Sequence, residues 1–581
     1  MLSPDDLQTS VGRAVQALIA QRNPEGYWEG RLASSPLATA VALCALAGEI
    51  GAYNPASAFA FLAQTQNKDG GWGDTEISKS NLAATLLVLS ANTMHAPAGL
   101  SATQRQAAQE YTEKMGGLSE GLRRVYGSDL TFQVPIRMTA ACAGLIPWSS
   151  VDALPFELAL APRGLMGALR LPVVSYALPA LVCVGLARHA KAPSWFLPSR
   201  WLRSALTEKA LNLILKMQPE SGGYLEAIPI TAFCMLGLKA AGRGDHAIVS
   251  NARKFLFGTQ REDGAWPVEV HLSIWNTTRA IEALAAGDLL NSSLKEAERN
   301  VTRDWLLAQQ TTGVSVYSDA KPGGWGWNHL SGSVPDVDDT SGAILALKVL
   351  GVPINHSALE RGRQWLYSIQ NNDGGWPTFC RGWGTLPFDR SAPDLTVHAL
   401  RAVEPAKGEV AAWRYLRSKQ RADGSFAPLW FGCESASDEL NSTYGSTHFL
   451  FSFPECGYDA FKKEKDRCLD WLRSIQNPDG GFGGCKDAPS TAEETGLALR
   501  ALVLSGVDPE ESCCMRAAEW LIKNQRADGS WNPAPIGFYF AVLWYYEELY
   551  PLCYALGGLG ALEAALNAGK SPNKTAGESV S

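Results

Sequence analysis

The chain has 581 residues and a formal charge of -7. That length exceeds what one hydrophobic core usually organises, so two domains are expected, and the acidic balance gives no footprint for nucleic acid. The 12 cysteines lack metal-finger spacing, whereas 19 tryptophans beside 55 glycines exceed ordinary usage and ask for a structural reason.

The N-terminus, Met1-Leu2-Ser3-Pro4-Asp5-Asp6, lacks the charged-then-apolar pattern of a signal segment. From there one punctuation recurs. Gln66-Asn67-Lys68-Asp69-Gly70-Gly71-Trp72 returns at Gln260 to Trp266, Gln370 to Trp376, Gln420 to Phe426, Gln476 to Phe482 and Gln525 to Trp531. Looser copies run from Gln21 to Trp28, Gln218 to Tyr224 and Gln309 to Trp325. Before several copies stands an amphipathic helix ending in Trp305-Leu306, Trp365-Leu366, Trp471-Leu472 or Trp520-Leu521, and after each comes a more apolar helix. In the second half the period is on the order of fifty residues, as in helical-pair repeats. Asp-Gly supplies a turn with φ > 0, and the aromatic that follows is expected to pack on the Gln of the preceding helix end. These motifs read as braces, not chemistry.

Two helices per repeat, one apolar and one amphipathic, predict an all-α protein of two α/α toroids. Residues 1–76 and 205–310 are assigned to a first set of toroid repeats, with the chain crossing between domains. Residues 77–204, apolar and nearly free of the repeat, are assigned to an inserted α/α-barrel portion, and 311–570 to the catalytic toroid. The stretch from Leu171 to Ala187 is uncharged but broken by Pro172 and Pro179, so it reads as a buried helix. The tail 571–581 has a disordered composition.

Three carboxylates stand together in Val334-Pro335-Asp336-Val337-Asp338-Asp339-Thr340, directly before an apolar run. Asp336 reads as a helix N-cap, which places Asp338 and Asp339 in the first turn. Acidic residues there also suit the helix dipole, the plain alternative to a chemical role. Crowding should instead push the three pKa values apart, so that one carboxyl keeps its proton beside an ionised neighbour. Farther on, Asp394 and His398 are i, i+4 on one helix face, a spacing at which the carboxylate can hold the imidazole charged.

The repeats resemble the QW motifs of squalene-hopene cyclases and other class II terpene cyclases, and the 335–340 segment is similar to their Asp-x-Asp-Asp motif. The resemblance spans nearly the whole chain. Protein prenyltransferase subunits share the repeats but need a zinc site, for which no clear Asp, Cys and His set is visible. The resemblance implies that Asp338 is the Brønsted acid that protonates a terminal alkene, with Asp336 and Asp339 beside it and His398, in Pro393-Asp394-Leu395-Thr396-Val397-His398, as its partner. An alkene is so weak a base that the donor must sit in a dry site with hydrogen bonds favouring its carboxylate. Alignment to the family's positions makes Tyr176, Trp275, Trp327, Phe379, Trp430, Tyr444, Tyr539 and Tyr546 the aromatic lining, whose π faces would stabilise a carbocation. No cofactor and no metal are implied.

The departures concern the far end of the cavity. The family's two N-terminal glutamates fall on Thr39 and Ala83, its Gln-Pro becomes Ile228-Pro229, and Leu543 replaces a tyrosine. The Asp-rich loop is shortened to Thr378-Phe379-Cys380-Arg381-Gly382-Trp383-Gly384. Initiation therefore reads as intact and termination as altered. The expected substrate is a linear polyprene such as squalene; the alternatives are a diterpene or meroterpenoid cyclase and a non-catalytic isoprenoid-binding toroid. Segment 192–203, with Trp195, Phe196, Trp201, Arg200 and Arg203, suits contact with one membrane leaflet. The resulting location is the cytoplasmic side of a membrane, or the cytoplasm. A homodimer is left open.

Overall fold

The braces explain the architecture. In each, the Gln amide donates to the carbonyl of the turn glycine four residues on, as Gln66 does to Gly70 at 2.8 Å and Gln420 to Gly424 at 2.9 Å. The same amide also donates to a carbonyl in an early turn of the next outer helix: Gln66 to Gln104 at 3.0 Å, Gln420 to Glu464 at 2.8 Å, Gln476 to Cys513 at 2.8 Å. The indole reaches back ten residues, with Trp72 Nε1 donating to Leu62 O, Trp376 to Leu366 O and Trp531 to Leu521 O at 2.7–2.8 Å. Looser copies do likewise, Trp28 to Leu18 and the Tyr224 hydroxyl to Ile214. The aromatic thus satisfies a carbonyl near the helix end that would otherwise lack a partner, a longer reach than packing on the Gln alone.

The turn glycine is required at this point. Gly374 has φ +91°, and a Cβ there would lie 2.5 Å from the Ala411 carbonyl. Gly374→Ala is expected to destabilise the fold by about 1–3 kcal/mol. Thermal denaturation checks this; an unchanged midpoint would show that the turn is not under this constraint.

The computed structural model describes residues 3–96, 99–127, 130–160, 176–317, 320–381, 387–403, 409–456, 459–539 and 543–570. Among these, five inner helices close one ring, each packing on the next and the last on the first: α1 (Pro36–Leu46), α2 (Leu82–Met94), α3 (Leu130–Cys142), α4 (Leu178–Lys191) and α5 (Ile228–Ala240). Six close a second ring in the same way: α6 (Ser273–Ala286), α7 (Val337–Val349), α8 (Pro393–Ala402), α9 (Ser442–Phe451), α10 (Ala492–Leu504) and α11 (Leu549–Lys570). Inner helices such as α1 are buried along their whole length, so their apolar character has no periodic face. Outer helices such as Ser357–Ile369 and Ser512–Lys523 turn one apolar stripe inward.

The domain assignment is corrected on three points, the first being that the second ring begins before residue 311, since α6 (Ser273–Ala286) closes it. Segment 77–204 is not an insert, because α2, α3 and α4 share one ring with α1 and α5; lacking the repeat did not prevent these helices from burying the same kind of surface. The helix Pro4–Ala20 belongs to the second ring, packing on α11, and Gln525 donates to the Ser10 carbonyl at 3.0 Å. The last brace thus closes the ring onto the start of the chain. Helix α11 is long and apolar enough to cross a membrane, but 78% of its apolar window is buried as a ring helix. The tail 571–581 lies outside the described residues, as do residues 171–175 of the stretch from Leu171 to Ala187, which from Leu178 on is the buried helix α4. One antiparallel hairpin, β1 (Gly537–Tyr539) with β2 (Leu543–Tyr545), pairs Phe538 with Trp544.

Candidate active site

Asp336 caps α7: its Oδ1 accepts from the Asp339 amide at 2.9 Å, and its own amide donates to Trp325 O at 3.0 Å. The brace at Trp325 therefore sets where the acid helix begins. Asp336 and Asp339 are buried, whereas the Asp338 side chain keeps 18% of its surface, turned toward a cavity of about 660 Å³. Burial first, then the neighbouring Asp339, push Asp336 well above the usual carboxylate range. Burial also lifts Asp338 to about 7, against the opposing pull of Arg279. A carboxyl still protonated near neutrality, open to a cavity, is a proton donor.

His398 arrives from α8. Its Nδ1 lies 2.7 Å from Asp338 Oδ1, joining residues 60 apart in the chain. Behind it, Arg279 Nη2 on α6 lies 3.2 Å from His398 Nε2. Arg279 is held by Glu282, Nη1 to Oε2 2.8 Å, and its guanidinium lies 4.4 Å from the centre of the Trp275 ring. Glu282 also takes Arg401 at 3.1 Å and Arg500 at 3.3 Å. Burial would raise Glu282, but Arg279, Arg500 and Arg401 together hold it well below the usual range. This cluster borders a second cavity, of about 1140 Å³, on the side of His398 away from Asp338.

The expected pairing of Asp394 with His398 is corrected. Asp394 Oδ2 accepts from the Leu429 amide at 3.1 Å, Oδ1 has no partner among the described residues, and burial followed by the charge of Asp338 raises it to about 7. A carboxyl so placed near the start of α8 holds the loop that leads to α9, and the imidazole is met from α7 and α6 instead.

Of the aromatic candidates, Trp275, Trp327, Phe379, Trp430 and Tyr539 line the cavity with the three aspartates. Trp430 is oriented by donating its indole proton to Thr378 Oγ1 at 2.8 Å. Tyr444 stands one layer back, its ring 3.6 Å from that of Phe431. Tyr176 packs against Phe379, the rings tilted by 38° with centroids 4.5 Å apart, and borders a smaller apolar pocket. Tyr546 is turned away, its hydroxyl donating to Glu76. Ile228 is wholly buried at the start of α5, its amide bonded to Val268 O at 3.2 Å. Leu543 is buried in β2, and of the shortened loop Gly382, Trp383 and Gly384 lie outside the described residues.

The lining is completed by Leu272, Thr378, Phe431, Phe538, Tyr545 and Tyr550; Phe538 and Tyr545 belong to the C-terminal aromatic cluster legible in the sequence, whereas Phe431, Tyr550 and the pair Arg279 with Glu282 were missed. That pair left a trace: two opposite charges at i, i+3 just after Trp275, in a helix otherwise buried at that depth. Also missed was a buried polar group at the wall, where the Tyr539 hydroxyl donates to Glu269 Oε2 at 2.7 Å. The far end of the cavity is accordingly less apolar than Ile228 and Leu543 alone led us to expect.

Two rings of helices, with a buried carboxylic acid facing an aromatic chamber in one of them, define a class II terpene cyclase, an enzyme that starts cyclisation by protonating carbon. The chain belongs to the squalene-hopene cyclase family: residues 11–178 match the Squalene-hopene cyclase N-terminal domain and residues 272–561 the Squalene-hopene cyclase C-terminal domain. It is 25% identical to a probable squalene--hopene cyclase of Sinorhizobium fredii, over 91% of this chain and 92% of that one. It is also 25% identical to the squalene--hopene cyclase of Alicyclobacillus acidocaldarius, over 90% and 92%. The fold is shared with ent-copalyl diphosphate synthase from Streptomyces platensis, at a TM-score of 0.58 and 17% identity, covering 96% of this chain and 99% of that one.

Proposed function

We propose that the protein cyclises a linear triterpene hydrocarbon, squalene or a close relative, by proton transfer from Asp338. The observation that carries this reading is the cavity lining: among the described residues fourteen line it, of which nine are aromatic and none is Lys or Arg. A diphosphate-bearing substrate would call for cations there; an all-hydrocarbon chain calls for π faces and little else. In the first step the Asp338 O–H bond breaks and the π electrons of the terminal alkene form the new C–H bond. The positive charge then passes along the chain beside Trp275, Trp327, Phe379 and Trp430. Ring formation ends when a C–H bond beside the last cation breaks, its electrons forming an alkene and its proton passing to solvent, rather than by addition of water, since the position of the family's water-holding Gln is taken by Ile228.

One experiment tests both parts. The protein is incubated separately with squalene and with geranylgeranyl diphosphate in ¹⁸O-labelled water, and products are read by mass spectrometry. An unlabelled cyclic hydrocarbon from squalene is expected. Turnover of the diphosphate alone would overturn the substrate, and a labelled alcohol as main product would overturn the termination step.

The same reading puts the chain against one membrane leaflet, on the cytoplasmic side. Its support is a cluster of outward aromatic and aliphatic residues, Trp195 91% exposed, Trp201 77% and Leu197 70%, with Arg200 among them. Co-flotation with anionic phosphatidylglycerol vesicles is expected, and its loss in a Trp195→Ser/Trp201→Ser double variant. Equal flotation of the variant would remove this segment from the contact.

A further inference from the structure

We propose that Arg279, and not a charged imidazole, supplies the positive charge that supports the acid, with His398 acting as a neutral relay between Arg279 and Asp338. The inference rests on Asp338 being the proton donor.

Donors and acceptors around the ring decide its tautomer. A guanidinium carries five N–H donors and no acceptor, and it stays protonated throughout the working range. With Arg279 Nη2 at 3.2 Å, His398 Nε2 must offer its lone pair. An imidazolium would set N–H against N–H at that distance. The single ring proton is therefore on Nδ1, where it faces Asp338 Oδ1 at 2.7 Å and donates to it. The transferable carboxyl proton is left to Oδ2.

Arg279 cannot easily turn away from this role. Glu282 holds Nη1 at 2.8 Å, and the Trp275 ring lies beneath the guanidinium at 4.4 Å. Burial opposes its charge, but Glu282 above all outweighs burial, so its pKa is raised. The other titratable groups around the imidazole leave Arg279 as the fixed cation nearest to it. On α8 these are Asp394, lifted by burial to about 7, and Arg401, committed to Glu282. On α9 they are Tyr444, raised by burial, and His448, which burial keeps uncharged by lowering it well below its ordinary value. Tyr554 on α11 is likewise raised by burial, and Arg500 on α10 binds Glu282.

The consequence concerns the step itself. When Oδ2 gives its proton to carbon, the carboxylate left behind keeps the Nδ1–H bond and feels the Arg279 charge one imidazole away. An imidazolium would lose its charge near pH 6.5, whereas a guanidinium does not titrate there. Arg279 is thus a positioning residue that fixes the tautomer of His398.

The test reads that tautomer directly and needs no substrate, so its failure is separable from failure of the cyclase reading. The full chain is labelled with ¹⁵N-histidine, and its ring nitrogens are followed by NMR from about pH 5 to about pH 9. The His398 signal is identified by its absence in His398→Gln. A neutral ring protonated at Nδ1, unchanged across the range, is expected in the wild type. In Arg279→Met the ring should begin to titrate, while kcat falls about tenfold to a hundredfold and KM stays within about twofold. Arg279→Lys, which keeps the cation, should recover part of the loss. An imidazolium spectrum in the wild type at neutral pH overturns the proposal, as does an Arg279→Met variant whose ring remains neutral and Nδ1-protonated.

Discussion

Asp338→Asn is expected to abolish product formation, lowering turnover by at least about a thousandfold. The amide oxygen can still accept from His398 Nδ1–H, so the hydrogen bond at 2.7 Å has a replacement, but the amide has no proton acidic enough for carbon. The fold should survive. Burial raises the folded pKa of Asp338 to about 7, against an unfolded value near 4, so the folded state binds a proton that the unfolded state does not over that interval. Stability owed to this group is therefore fully present at low pH and falls as pH rises toward 7. Above 7 the native protein must bury a carboxylate, and the variant need not. At pH 8 the variant should melt no lower than the wild type, and wild-type turnover should fall about tenfold per pH unit above 7. Near-normal turnover in a folded Asp338→Asn variant would remove the residue from its role.

The second large effect is at His398. His398→Ala removes the one side chain joining Asp338 to Arg279, and turnover is expected to drop about a hundredfold with little change in KM. The loss has two parts: the carboxylate left by proton transfer has no donor on Oδ1, and Arg279 gains a free path toward Asp338. A guanidinium paired directly with Asp338 would lower its pKa, leaving less of the acid protonated at neutrality. The variant's activity should therefore recover partly on acidification, to pH 5 or so, where the carboxyl regains its proton. A pH–rate profile of the variant parallel to that of the wild type, or undiminished turnover, would contradict this account.

The arrangement also explains why a soluble-looking repeat fold can hold such reactive chemistry. The chamber is walled mainly by aromatic side chains, so a carbocation formed there meets few nucleophiles. The cluster in which Glu282 is held by Arg279, Arg401 and Arg500 lies behind the imidazole, so no guanidinium of that cluster lines the chamber. A buried charge left unpaired would be strongly destabilising, and this grouping avoids it.

What the sequence determined by itself is what lies close along the chain. Each brace joins groups four and ten residues apart, so Gln, Gly and Trp announce it in order. The Asp336 cap reaches only three residues to Asp339, and the i, i+3 and i, i+4 patterns separate outer helices from inner ones. Family alignment added the acid and most of the aromatic lining on the same footing, because they sit in or beside those local motifs. Tertiary structure decided the rest. The helix Pro4–Ala20 joins the last brace through a bond spanning 515 residues, and Arg279 meets His398 across 119. At i, i+4 Asp394 was the natural partner for that imidazole. It was displaced because ring closure packs α7 against α8, so that Asp338 from α7 and Arg279 from α6 reach the two ring nitrogens while Asp394 accepts from the Leu429 amide. Local spacing cannot foretell which distant helices converge, because that is set by closure of the ring as a whole.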